Sequence, residues 1–111
     1  MHVSFSTRKL QKACNSEKEM KAEWGPKMAT KLQQRLMELQ AAETLDQISR
    51  VPPARCHEHT QNNKGKLSVD LGHPYRLMFE PNHDPVPTKP DGGLDWSKVT
   101  AVVVMGIEDP H

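Results

Sequence analysis

The most apolar stretch of the chain, Val99 to Ile107, constrains the fold more than any other segment. Its centre, Ala101-Val102-Val103-Val104-Met105, is far too short to cross a bilayer, which takes ~20 apolar residues. A near-continuous apolar run of this length reads instead as a central strand covered on both faces. Such a strand requires partner strands beside it and a layer packed over it. Both are visible in the remaining sequence.

The partner strands come from two regions. Val3 and Phe5 alternate with polar residues and predict a short first strand. Further on, Ala54 to His59 is a candidate, and Leu67, Val69 and Leu71 alternate with Lys66, Ser68 and Asp70. Gly72-His73-Pro74 then turns the chain into Tyr75 to Glu80, where Leu77 and Phe79 face the core and Arg76 faces away. The covering layer lies between these regions. Leu10, Ala13, Cys14, Met20 and Trp24 recur at helical spacing, and Ser16 with Glu19 offers a capping box that breaks this helix in two. Gly25-Pro26 stops it and starts another, whose stripe Met28, Leu32, Leu36 and Leu39 runs to about Ala42. Thr44 with Gln47 reads as a further capping box, opening a short helix that ends before Pro52-Pro53. Residues 81–96 hold four prolines and Gly92-Gly93 and read as a long loop. The expectation is an α+β fold in one domain, residues 1–111. An N-terminal strand and a helical hairpin pack on a mostly antiparallel sheet of four to five strands.

Composition narrows the classes. The chain of 111 residues is 35% hydrophobic and 26% charged, enough for one core and not for two. No signal segment is apparent, so a cytoplasmic location is expected. Cys14 and Cys56 lie far apart without a CxxC pattern and read as reduced packing thiols rather than a disulfide or zinc site. The net charge of +1 is uneven: residues 1–50 carry nine Lys/Arg against six Asp/Glu, and residues 51–111 six against eight. That lean is too weak by itself to indicate nucleic-acid binding.

Polar residues with catalytic chemistry stand where strand positions are expected. Arg55, His57 and His59 share one face of their strand, Arg76 projects from another, and Lys64 and Lys66 flank the connecting turn. The chain ends Glu108-Asp109-Pro110-His111, and an extended backbone puts Asp109 and His111 on one side, ~7 Å apart. Imidazoles, guanidinium groups and a carboxylate are what RNA cleavage by side chains requires. One group takes the 2′-OH proton, another protonates the leaving 5′-oxygen, and a cation stabilises the phosphorane. Histidine suits the first two roles through its near-neutral pKa, and arginine the third through its fork. Bland readings stand beside these. His57-x-His59 has no third metal ligand at recognisable spacing, His73 and His83 are turn and loop residues, and pairing of Arg76 with Glu80 or Asp70 on the sheet surface stands even with a phosphate role.

Read together, Arg55-Cys56-His57, Lys64 to Val69, Pro74 to Phe79 and Ile107 to His111 resemble the RelE/ParE toxin superfamily, in particular its HigB-like plasmid maintenance killer branch. The resemblance covers nearly the whole chain. It implies a RelE-like fold and a toxin of a type II toxin–antitoxin system that cleaves mRNA on the ribosome without a cofactor or metal. A HigA-like helix-turn-helix antitoxin would neutralise it and carry it to operator DNA. By the family's motifs His57, Arg76, Asp109 and His111 are catalytic, and Arg55, Lys64 and Lys66 contact RNA or the ribosome. Two positions depart from the pattern. Pro110 stands where the family often has an aromatic residue, and Thr60 or Gln61 where a lysine usually lies. The competing expectations are a non-catalytic relative that binds antitoxin and operator DNA, and a gyrase-inhibiting ParE-like toxin.

Overall fold

The computed structural model describes residues 1–60 and 65–109. Strand β1 (His2–Phe5) leads into α1 (Arg8–Cys14), α2 (Glu17–Trp24) and α3 (Pro26–Ala41). Strands β2 (His57–Glu58), β3 (Leu67–Asp70), β4 (Arg76–Pro81) and β5 (Ala101–Glu108) follow. They form one five-stranded sheet in the order β1-β5-β4-β3-β2. Only the β1–β5 pair is parallel; the other pairs are antiparallel. The fold is therefore α+β, as the sequence implies.

Local chemistry explains the helices. The Thr7 hydroxyl accepts from the Leu10 amide at 3.1 Å and that of Ser16 from the Glu19 amide at 3.3 Å, so each starts a helix. Gly25, at φ 85°, ends α2 in a conformation that disfavours other residues, and Pro26 opens α3. Thr44 does not cap as expected. Its side chain makes no capping bond, residues 45–47 form a single 3-10 turn, and the Gln47 side-chain Oε1 instead accepts from the Glu43 amide at 2.8 Å.

The helices cover one face of the sheet. Leu32, Leu36 and Leu39 of α3 join Leu67, Val69, Leu77, Phe79, Val102 and Val104 in a single core. Cys14 and Cys56 are buried free thiols within it. Burial pushes their pKa values up, to about 11 and about 12 respectively.

The last strand differs from the expectation. β4, not β5, is the middle strand, and β5 is not covered on both faces: Val102 and Val104 are buried while Met105 is exposed. The uncovered face is where the polar strand residues gather. The 81–96 segment is also more ordered than a plain loop. Pro81 belongs to β4, Thr88 bridges Leu94, and Trp96 is buried at the start of a second 3-10 turn.

Candidate functional site

Alternation sorts the sheet residues by face. Leu67, Val69, Leu77 and Phe79 point to the helices, so Ser68, Asp70, Arg76, Met78 and Glu80 lie on the opposite, open face, where Asp70, Arg76 and Glu80 are half-buried and Ser68 and Met78 are covered. The ladder arranges these in rows. His57 pairs with Ser68, Ser68 with Met78, and Met78 with Gly106. One row along, Asp70 pairs with Arg76 and Arg76 with Glu108.

His57 and His59 meet on this face, their rings edge-on with centroids 4.8 Å apart. The His59 Nε2 is 2.8 Å from the Ser68 hydroxyl, a residue only 1% exposed, so one ring is anchored from below. His57 is exposed, its ring covered on one side by that of His59. The His59 pKa is lowered, first by burial, then by the positive charges of His57 and Arg76, with Glu108 opposing. These causes place Arg76 and Glu108 within electrostatic reach of the imidazole. The shift favours the neutral imidazole, the form in which a histidine accepts a proton.

Arg76 and Arg55 converge on one carboxylate. Arg55 donates from Nε and Nη2 to the two Asp70 oxygens at 2.7 and 3.1 Å, and Arg76 Nε lies 3.7 Å from Asp70 Oδ1. The pairing raises the Arg55 pKa further. Asp70 is fixed from beneath as well: buried Arg35 of α3 donates from Nε to its backbone carbonyl at 2.7 Å and from Nη1 to Glu38 at 3.0 Å. A forked pair between planar groups holds its geometry better than a point contact.

The structure corrects several sequence expectations. The strand expected over 54–59 shrinks to His57–Glu58, because Arg55 adopts φ 47°, a left-handed conformation that breaks the alternation. Arg55 therefore does not share a strand face with His57 and His59; it reaches Asp70 instead. Of the two partners considered for Arg76, Asp70 is the one it meets. Asp109 follows β5 and is exposed, one residue past Glu108 of the Arg76 row. Lys66 is half-buried just before β3, and the His59 amide donates to its carbonyl at 2.9 Å. Lys64 and His111 lie outside the described residues. His73 sits in the turn where the Tyr75 amide donates to the Gly72 carbonyl at 2.8 Å, and His83 Nε2 accepts from the Thr100 amide at 3.1 Å.

Three contributors escaped the sequence reading: Ser68 as the anchor of His59, Glu108 opposite Arg76, and Arg35 beneath; Asp70 was read as a partner of Arg76 but not of Arg55. Ser68 and Asp70 had a usable signal, being the two polar members of a strand whose other members are core residues. Among the described residues no group of three or more His, Cys, Asp or Glu side chains is arranged to hold a metal ion. No helix among them is long and apolar enough to cross a membrane. In comparisons with known proteins, no family model, no curated protein and no solved structure matches the chain significantly.

Proposed function

We propose that the open sheet face cleaves RNA by side-chain acid–base chemistry, with His59 as base and His57 as acid. The observation that carries this is the pair of facing imidazoles, one anchored on Ser68 with its pKa lowered in part by Arg76, the other exposed. Neutral His59 takes the proton from a ribose 2′-OH, and the freed oxygen attacks the adjacent phosphorus. The bond to the 5′-oxygen breaks as protonated His57 gives that oxygen its proton. The products are a 2′,3′-cyclic phosphate and a free 5′-OH. Arg76 stabilises the charge that develops on the phosphorane, and Asp70 with Arg35 keeps its guanidinium in place.

His59 is assigned the base because Ser68 anchors its ring and its pKa is lowered. The motif resemblance to RelE/HigB toxins supports a narrower setting: ribosome-bound mRNA as substrate in the cytoplasm, and a helix-turn-helix antitoxin covering the same face. The test incubates purified protein with labelled mRNA, with and without ribosomes and with a chelator present throughout. Cleavage leaving cyclic phosphate ends, blocked by a 2′-deoxy substitution and lost in His59→Ala, is expected. Growth arrest with intact mRNA and gyrase trapped on DNA would replace this reading with the gyrase-directed one. Deleting His111 separates the two candidate acids: full loss of cleavage assigns the acid to His111, and retained cleavage assigns it to His57.

A further inference from the structure

Between β4 and the 81–96 segment lies a cavity of about 410 Å³ bounded by Glu58, Glu80, Pro81, Val86, Gly93 and Leu94. We infer that this cavity holds a guanine base of the RNA strand, read by the Glu80 carboxylate; the inference rests on the ribonuclease reading and names its sequence preference.

Three features lead there. The first is wall composition. Pro81, Val86 and Leu94 make an apolar lining, and Val86 is 43% exposed, an apolar side chain left uncovered at the cavity. Such a lining suits the flat body of a base. The second is rigidity. Lys89 N donates to Gly93 O at 2.7 Å, Gly92 N to Lys89 O at 2.9 Å, and Gly93 N to the Asp91 carboxylate at 2.8 Å, so the outer wall is a closed turn. Glu58 on the inner side is fixed by the Trp96 indole, which donates to it at 2.8 Å. That indole is itself held under the Arg50 guanidinium at 3.7 Å. The third is the free acceptor. Glu80 is half-buried and, among the described residues, its carboxylate makes no hydrogen bond or ion pair.

A carboxylate offers two acceptors and no donor, so its best partner presents two adjacent donors. On its Watson–Crick edge guanine has them, at N1–H and the 2-amino group. Adenine and cytosine place a ring acceptor beside their amino groups, and uracil flanks its single N–H with carbonyls. The position also fits. Arg76, Met78 and Glu80 lie on one face of β4, so Glu80 stands ~7 Å along the strand from Met78, the β4 member of the His57 row, and ~13 Å from Arg76; the histidines themselves lie two strands across, ~10 Å further to the side. Like charges repel, so Glu80 keeps phosphate away from its own end while Arg76 draws phosphate to the other. The strand is thereby set in register, with the base of a nucleotide next to the scissile bond in the cavity.

The test reads binding apart from cleavage. Guanosine, adenosine, cytidine and uridine 3′-monophosphates are titrated into the full chain carrying Trp24→Phe, so that Trp96 alone reports by fluorescence. Selective binding of the guanosine nucleotide, tenfold or more tighter than the other three and lost in Glu80→Gln, is expected. Cleavage mapped on a mixed-sequence RNA should show a guanosine beside each cut, and Glu80→Gln should flatten that preference. Equal affinity for all four nucleotides, or an unchanged guanosine preference in Glu80→Gln, overturns the inference even if RNA is cleaved. Guanosine-selective binding without any cleavage upholds the cavity and sinks the ribonuclease reading instead.

Discussion

Arg76→Ala separates catalysis from stability most cleanly, because the structure sets a different size on each effect. The Arg76–Asp70 ion pair spans 3.7 Å, and at an effective dielectric constant of about 20 its bare Coulomb energy is about 4 kcal/mol. Little of that survives in the net. The two side chains keep 18% and 27% of their surface exposed, so desolvation and screening offset most of the attraction. Asp70 also retains its forked bond to Arg55, and no carboxylate is stranded. The neighbours Leu77 and Phe79 are fully buried on the other face and hold β4 in place without Arg76. The expected stability loss is about 1 kcal/mol, a fall of about 5 °C in Tm for a domain of this size. The loss in rate is far larger, since removing one fixed donor from a developing oxyanion typically costs ~10²–10³. A third signature distinguishes a positioned cation from a packing residue. Arg76 is one of the positive charges that lower the His59 pKa, so its removal lets that pKa rise. The base must be neutral, so the acidic limb of the pH–rate profile moves to higher pH. Thermal melts and kcat/KM against pH on parent and variant decide the matter. A variant within threefold of parental kcat/KM, or one melting more than about 15 °C lower, refutes the reasoning.

Three further outcomes are expected. The His59 pKa is lowered on folding, so the unfolded chain binds the extra proton first as pH falls through ~6.5; stability is complete above that pH, declines below it, and this slope disappears in His59→Asn, as denaturant titrations at several pH values will show. Cys14 and Cys56, with pKa values pushed up to about 11 and about 12 by burial, should resist thiol reagents in the native protein and react within the dead time once denatured. Phe79→Ala empties the centre of the core and should cost about 3–5 kcal/mol, lowering Tm by roughly 15 °C or more in calorimetry.

What the sequence revealed depended on how local the cause was. Gly25-Pro26, the Ser16 cap and the Leu32/Leu36/Leu39 stripe act within a few residues of themselves, and all are where the periodicity put them. The alternating segments around Leu67 and Leu77 were equally clear, since period 2 states which residues face the core. The Thr44 cap failed because the Gln47 side chain satisfies the neighbouring Glu43 amide and the chain turns only once. Arg55 failed for a different reason. Its left-handed backbone sits between a local bond, the Arg55 amide to the Val51 carbonyl, and a long-range one, the Asp70 amide to the Ala54 carbonyl, which no local pattern announces. The polar hub at Asp70 was likewise hidden, because it joins Arg35, Arg55 and Arg76 from three separate elements.

The misreading of Val99 to Ile107 has its own cause, and it bears on the site. The β4–β5 ladder shifts between Met78 and Phe79: Phe79 faces Val104, while Met78 faces Gly106. Two residues of β5 are spent against one of β4, leaving Met105 as the extra residue of a bulge, exposed rather than buried. Without that insertion the pairing would run Met78 to Met105, Leu77 to Gly106 and Arg76 to Ile107. Ile107 would then lie on the open face, and Glu108 would turn toward the helices. With it, Ile107 pairs with Leu77 and packs against the core, and Glu108 emerges opposite Arg76. An apolar run that looks buried on both faces is therefore two half-buried strands of opposite phase joined at Met105-Gly106. The bulge lets one strand serve the core along its whole length and still deliver a carboxylate to the arginine and histidine rows. Such re-aiming of a side chain is what bulges beside functional sites accomplish.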